Sequence, residues 1–414
     1  MRLLVLTHTF LPSRRANAKR PYYVVRAFLE AGWEVDVITS LLGLAAGAGE
    51  SLIHPALRVF RYEHPGNRLQ RWFGSYPHLL RRATLVLAGT TWPDESVTWS
   101  VKALRMTGKM GAYDRVLVSV FPPSLLLAGL RSKLASPNWV YDYQESVTPY
   151  FRKYPRRSPM HGLLFRMLQR IERRTLHRTG RVIFTAATNR EAYIREGLVP
   201  EANTAHIPYF YDADVFRGAK EAVADRFEIS YFGTFDWRGD RSPETFLRAL
   251  ARFLGEHPKA RPRTRFSFYG AWLSEHKRYL EELRLQDMVI LHPPLAYDAY
   301  VAKLKQSPVL LLVVSAAHNL FMPSKIVDYF GARRPILAFV PPEAEMRQVL
   351  EDAGMAEFTC CPSDIGQGSQ VLEKLWNRYC AGSLGCDTKK TAFWSSEVQI
   401  PRYLKAVTDL QSSV

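Results

Sequence analysis

The chain has 414 residues, 47% hydrophobic, 23% charged and 12% aromatic; this balance excludes global disorder and fibrous repeats, and the length predicts two or three domains with cores of their own. Lysine and arginine number 56 against 39 aspartate and glutamate, a formal net charge of +17, which favours anionic partners (phosphate, an acidic membrane surface or nucleic acid) and says nothing of fold. The four cysteines, Cys360, Cys361, Cys380 and Cys386, lack paired zinc-type spacing, so reduced thiols in a cytosolic protein are expected.

The opening apolar run is too short for a signal segment, and no run reaches the roughly 18 residues of a membrane span. Any membrane contact is therefore expected to be peripheral. Residues 3–7 read as a strand, 22–31 as a helix stopped by Gly32, and 34–39 and 58–62 as strands, which makes a βαβ start. Residues 64–112 show no clean period. Strands are then predicted at 116–120, 139–143 and 182–186, with a helix at 123–134 and a long basic helix at 160–178. The second half repeats the alternation. Strands are predicted at 229–232, 266–269, 288–291, 309–315 and 335–340, and helices at 243–254, 274–285, 297–304, 323–330 and 343–353. A helical tail follows at 397–410. Two such series predict an α/β protein with two doubly wound domains, 1–208 and 222–392, and a tail, 393–414, returning to the first. Ligands of such sheets bind at the strands' carboxyl ends, and a pair of domains would hold one in the cleft between them.

Two segments carry chemistry. In Tyr231-Phe232-Gly233-Thr234-Phe235 and the following Arg241-Ser242-Pro243-Glu244, a strand ends at a glycine, an arginine follows, and a helix begins at a proline. That arrangement suits a phosphate, although a lone arginine equally caps or packs a loop. In Pro323-Ser324-Lys325-Ile326-Val327-Asp328-Tyr329, Lys325 and Asp328 share a helical face near a helix start. A cation there is disfavoured unless it serves a bound anion, and Asp328 suits a sugar hydroxyl pair. The plainer alternative is a surface i,i+3 ion pair. A third feature is basic: ten arginines and lysines between Arg152 and Arg181 interleave with Leu163, Leu164, Phe165, Met167, Leu168 and Ile171. Arg68, Arg71, Trp72, Phe73, Arg81 and Arg82 have the same flavour. Such a stretch suits an anionic bilayer or a lipid-linked diphosphate, or equally a helix with a solvated basic face.

Taken in order, these segments resemble a bacterial glycosyltransferase of the GT-B fold, close to the retaining glycosyltransferase family 4. The resemblance runs from Gly32-Trp33-Glu34-Val35 through Pro93-Asp94…Trp99, Ser119…Pro122-Pro123-Ser124 and Ile207-Pro208…Asp212…Phe216. It ends on Gly233…Arg241 and Pro323-Ser324-Lys325…Asp328-Tyr329…Arg334-Pro335. It implies two Rossmann-like domains facing across a cleft, the first for the acceptor and the second for the nucleotide sugar. The implied activity is a metal-independent, retaining hexosyl transfer from a nucleoside diphosphate sugar, of UDP or GDP type, without cofactor or metal. The acceptor would be a lipid-linked, polysaccharide or other glycoconjugate hydroxyl, in cell-envelope polysaccharide biosynthesis. The implied location is cytoplasmic, peripheral on the inner face of the membrane. Arg241 and Lys325 would hold the diphosphate as leaving group, Gly233, Thr234 and Ser324 would line its site, and Asp328 would bind the ribose. Gly270 and Leu295 would lie near the base.

The chain departs from the family pattern at four places. Leu320 stands where many members carry a first acid eight residues before the second, with His318 nearby. Tyr209-Phe210 replaces an Asn-Gly, Arg14-Arg15-Ala16-Asn17 replaces a glycine loop, and Tyr143-Gln144-Glu145 replaces an Arg-Asp pair. Glu145 is then the acceptor-side carboxylate, catalytic by this reading, and Arg14, Arg15 and Asn17 belong to the same side. The competing readings are a catalytically degenerate subunit that binds nucleotide or glycan, and a nucleotide-sugar epimerase. No nucleic-acid partner is expected, since no binding motif accompanies the charge.

Overall fold

The computed structural model describes residues 1–13, 15–44, 52–63, 93–94, 96–130, 136–152, 159–218, 225–235, 241–315 and 320–410. Arg14, His318 and the basic stretch at 68–82 lie outside the described residues. The chain forms two compact units, residues 1–208 with 400–414, and residues 209–399.

In the first unit, β1 (Arg2–Leu6), β2 (Glu34–Ser40), β3 (Leu57–Tyr62), β4 (Arg115–Ser119), β5 (Trp139–Tyr143), β6 (Arg181–Phe184) and β7 (Thr204–His206) make one sheet in the order β3-β2-β1-β4-β5-β6-β7. All pairs are parallel; Val5, for example, lies beside Val37 and Leu117. Leu3, Leu4, Val5 and Leu6 are all fully buried, because helices cover both faces. This is why the strands read as unbroken apolar runs rather than alternations. The pleat sorts them by face. Leu4, Leu6, Val116 and Val118 pack with Trp99, Leu125, Leu168 and Ile171. Leu3, Val5, Val37 and Leu117 pack with Val24, Phe28, Tyr403 and Val407.

The second unit holds β8 (Phe227–Phe232), β9 (Thr264–Tyr269), β10 (Val289–His292), β11 (Val309–Val313), β12 (Ile336–Phe339) and β13 (Thr359–Cys360), again parallel, in the order β10-β9-β8-β11-β12-β13. Both sheets thus reverse direction beside their first strand, at β1/β4 and at β8/β11. A ligand crevice opens outside the carboxyl ends at such a point.

Several elements differ from the sequence expectation. The 123–134 helix is a 3-10 run, Pro123–Leu130, with the helix-poor Gly129 near its end. The 274–285 helix splits into a 3-10 turn and helix Lys277–Glu282, stopped by Arg284 in left-handed backbone, φ 52°. Within the stretch without a clean period lies helix Val97–Thr107, with Trp99, Ala103 and Thr107 on its buried stripe. Helix Ile365–Cys380 was not expected; Gly366 and Gly368 dilute its pattern, yet Asp364 caps it by accepting from Gln367 N–H at 2.8 Å. The tail helix, Ser396–Thr408, places Tyr403 and Val407 in the first unit's core.

One polar cluster is buried in that core. Arg20, on helix Lys19–Glu30, donates through Nε to Asp142 of β5 at 2.8 Å. Its other nitrogens donate to the carbonyls of Pro208 at 2.9 Å and Ile207 at 3.0 Å. Tyr403 Oη donates to the same Asp142 oxygen at 3.0 Å and lies with its ring under the guanidinium. Removing one partner of such a pair strands the other as a buried charge. Arg20→Met is expected to lower stability by about 3–5 kcal/mol, and the Arg20→Met Asp142→Leu double variant by less. Urea unfolding of both variants and of Asp142→Leu alone measures it; a double variant that loses the sum of the two single losses would refute the coupling.

Candidate functional site

In the second unit, Gly233, Thr234 and Gly270 lie at the carboxyl ends of β8 and β9, beside the helix start that carries Ser324 and Lys325. Gly233 follows β8 with φ 131°, a conformation open to glycine alone, and its N–H donates to Tyr269 O at 2.9 Å. Gly270 follows β9, and a methyl group there would come within 1.9 Å of the Gly233 carbonyl oxygen. The two glycines let two backbones meet, and Gly233 and Thr234 are exposed beyond them.

Lys325 opens helix Lys325–Ala332, with Ser324 at its N-cap. Its Nζ donates to Phe232 O at 3.0 Å and stands 4.2 Å from the centre of the Tyr231 ring. A methyl on Gly233 would lie 3.3 Å from the same Nζ. A carbonyl and a π face thus hold the ammonium where the helix dipole disfavours it. The result is a fixed cation beside open backbone at a helix N-terminus.

Asp328 lies one turn on, and it is buried rather than part of a surface ion pair. Tyr300 Oη donates to its Oδ2 at 3.1 Å. Burial and the Asp328 charge hold the Tyr300 phenol well above its usual range, so it remains a donor. Tyr300 also meets Phe232 edge-on at 5.2 Å, and Phe232 stacks on Tyr269, which stacks on His292. On the opposite face of β8, Tyr231 stacks on Phe235 at 4.1 Å. Two aromatic stacks therefore clamp the strand end that carries Gly233. Arg241 is half-buried just before helix Glu244–Glu256, where Ser242 Oγ accepts Glu244 N–H at 3.2 Å. Leu295 is partly buried against the core beyond β10.

The residues expected from the sequence to face an acceptor belong to the first unit. Asn17 Oδ1 accepts from the Thr9 hydroxyl at 2.9 Å, and Arg15 is exposed at the start of a short 3-10 turn. Gln144 and Glu145 follow β5; Gln144 Nε2 donates to Ser119 Oγ at 2.8 Å. Protein mass around the Glu145 carboxyl raises its pKa, while its accessible surface leaves it open to solvent. The open surface governs, so the energetic effect is small. Asp94 accepts Ser96 N–H at 2.8 Å and Ser124 N–H at 2.6 Å, which organises the segments beside β4.

Three residues that matter were not singled out from sequence. Tyr300 and Tyr231 complete the surroundings of Asp328 and Lys325. Glu172, on the buried face of helix Pro159–Leu176, accepts from Tyr143 Oη at 2.8 Å, Tyr193 Oη at 2.7 Å and the Thr148 hydroxyl. Tyr193 Oη in turn accepts Val147 N–H at 3.0 Å, so this carboxyl pins the segment that follows Glu145. Its signal was available: a lone carboxylate in the apolar stripe of Leu168, Ile171 and Leu176.

Residues 18–209 match the model of the Glycosyl transferase 4-like domain. No curated protein sequence matches the chain. Among solved structures, the fold is similar along its full length to sucrose-phosphate synthase from Thermosynechococcus elongatus, at 13% identity and TM-score 0.65, covering 98% of each chain. It is similar to an E. coli trehalose-6-phosphate structure bound with UDP-2-fluoro glucose, at 12% identity and TM-score 0.64, covering 99% of each. It is also similar to WaaG, a glycosyltransferase involved in lipopolysaccharide biosynthesis, at 13% identity and TM-score 0.59, covering 98% of this chain and 100% of that one.

Two predictions follow from this geometry. Gly270→Ala has only backbone to push against, so it should displace Gly233 and destabilise the second unit by roughly 1–3 kcal/mol; an unchanged thermal midpoint would contradict the close approach. Burial lifts the Glu172 carboxyl from 4.5 to about 7, against the Tyr193 and Tyr143 hydroxyls and the Thr148 backbone N–H, which favour its ionised form. The folded state therefore holds this proton more tightly than the unfolded state. Stability falls as pH rises through that window, by roughly 3 kcal/mol in all, and the loss is complete above it. The thermal-midpoint advantage of wild type over Glu172→Gln should accordingly shrink between pH 5 and pH 8; a constant difference would refute the assignment.

Proposed function

From a GT-B fold whose residues 18–209 form a glycosyl transferase 4-like domain, we propose that the chain transfers a sugar from a nucleoside diphosphate sugar to an acceptor hydroxyl. The observation that carries this reading is Lys325, fixed by the Phe232 carbonyl at a helix start beside the Gly233 backbone. Breaking a glycosyl–phosphate bond builds negative charge on the diphosphate, and preorganised donors stabilise it where it develops. In this reading Lys325, Arg241, Ser324, Gly233 and Thr234 bind the diphosphate, Asp328 binds the ribose, and Gly270 and Leu295 lie near the base. The UDP-sugar in the E. coli relative supports a UDP donor.

The first unit takes the acceptor, with Arg14, Arg15 and Asn17 beside it and Glu145 orienting or deprotonating its hydroxyl. Its class is a lipid-linked or polysaccharide glycan, supported by the role of WaaG in lipopolysaccharide biosynthesis. Transfer with retention and without metal is part of the same proposal, as is a cytoplasmic location on the inner membrane face. Among the described residues no helix is long and apolar enough to cross a membrane.

A second reading, a nucleotide-binding subunit without turnover, is favoured by one observation: the buried Leu320 stands where many members of the resembled family carry an acid. Thermal shift with UDP, GDP, ADP, TDP and CMP tests the donor site. A nucleotide at 100 times its dissociation constant stabilises by about 2.7 kcal/mol. One diphosphate should shift the midpoint, and Arg241→Ala Lys325→Ala should abolish the shift; no shift with any nucleotide would overturn the donor assignment. Sugar transfer to acceptor, in the presence of chelator, then separates the enzyme from the silent subunit.

A further inference from the structure

Helix Pro159–Leu176 has two faces of opposite character. Leu168, Ile171, Glu172, Thr175 and Leu176 are buried, while Leu163, Arg166, Met167, Arg170, Arg173 and Arg174 are exposed. The exposed set recurs every three or four residues, so it forms one continuous stripe. The helix has a single carboxylate, Glu172, and it faces inward, so nothing on the stripe offsets the arginines. Among the described residues none of these four arginines is ion-paired. At one end of the stripe Leu163 and Met167 are 45% and 42% exposed. Helix Thr148–Arg152 packs against this helix and leaves Phe151 42% exposed.

We propose that this stripe docks on the surface of an anionic bilayer. The arginines match a sheet of negative headgroups, and the exposed apolar side chains suit the boundary where headgroups meet acyl chains. A nucleic acid would answer the charge but offers no partner for Leu163 and Met167. Because the inner face is already committed to the core, docking is shallow, electrostatic and reversible. It also has a consequence for the acceptor. The buried side of the same helix holds, through Glu172, Thr148 and Tyr193, the segment after Glu145. The docking face thus lies about one helix diameter, ~10 Å, from the contacts that set that segment, which suits an acceptor carried in the bilayer. This deepens the acceptor part of the proposed function, and vesicle binding is read without turnover, so its failure leaves nucleotide binding separately measurable.

Co-sedimentation of the full chain with vesicles tests it, using phosphatidylcholine alone or with phosphatidylglycerol, at low and high salt. The chain should bind only the anionic vesicles and be released by salt. Each arginine is worth about fivefold in affinity, so Arg166→Gln Arg170→Gln Arg173→Gln Arg174→Gln should lose at least ~100-fold. A control that removes the same charge elsewhere, Lys259→Gln Lys277→Gln Lys389→Gln Lys390→Gln, should lose much less. Leu163→Gln Met167→Gln should weaken binding and keep its salt dependence, which also covers a quadruple variant that fails to fold. Equal binding to neutral vesicles, equal loss in the control, or a stripe variant that loses single-stranded RNA but keeps vesicles would each overturn the proposal.

Discussion

The first unit depends on a buried arginine. Taking the Arg20 guanidinium out of water costs several kcal/mol, and only a full set of partners offsets it. Asp142 supplies the charge, and the carbonyls of Ile207 and Pro208 accept the remaining reach. These partners come from β5, from the last residues before the chain enters the second unit, and, through Tyr403 on Asp142, from the helix that returns to the first. One side chain thus fixes where the polypeptide leaves the unit and where it comes back. β5 runs directly into Gln144 and Glu145, so that segment inherits its position from the same pair.

The second unit is constrained by space rather than charge. Gly233 and Gly270 meet backbone to backbone, at a distance no side chain permits. That contact, with the aromatic stacks on both faces of β8, fixes the Phe232 carbonyl that holds Lys325. The cation at the helix start is therefore a consequence of two glycines in neighbouring loops. Asp328 is set by a different device, a phenol from helix Tyr297–Gln306 that buries and hydrogen-bonds it.

Much of this was legible in the sequence, and the exceptions have physical causes. Strands buried on both faces announce themselves as apolar runs, which is why β1, β2, β4, β5, β8, β9, β11 and β12 were found within a residue or two. Short edge strands such as Thr204–His206 and Thr359–Cys360 carry too few residues to show a pattern. Glycines hid helix Ile365–Cys380, and a 3-10 run took the place of the apolar helix after Pro123. Lys325, Gly233 and Asp328 were visible because a helix start after a strand is a local signal. Arg20, Glu172, Tyr231 and Tyr300 were not singled out, since their roles come from partners 21 to 188 residues away. A charge falling in an apolar helical stripe was the trace that Arg20 and Glu172 left.

Helix Pro159–Leu176 separates folding from surface chemistry. Each of Leu168, Ile171 and Leu176 contributes roughly 1.5–3 kcal/mol by burial, and Glu172 adds a hydrogen-bonded anchor to three hydroxyls. The outward arginines add almost nothing to folding, because solvated charges without ion pairs have no net attraction to gain. Packed three and four apart, they repel one another by a few tenths of a kcal/mol per pair. Folding therefore gives no reason for four arginines along one exposed line, and leaves two apolar side chains in water beside them. A negatively charged surface with an apolar layer beneath it accounts for both at once.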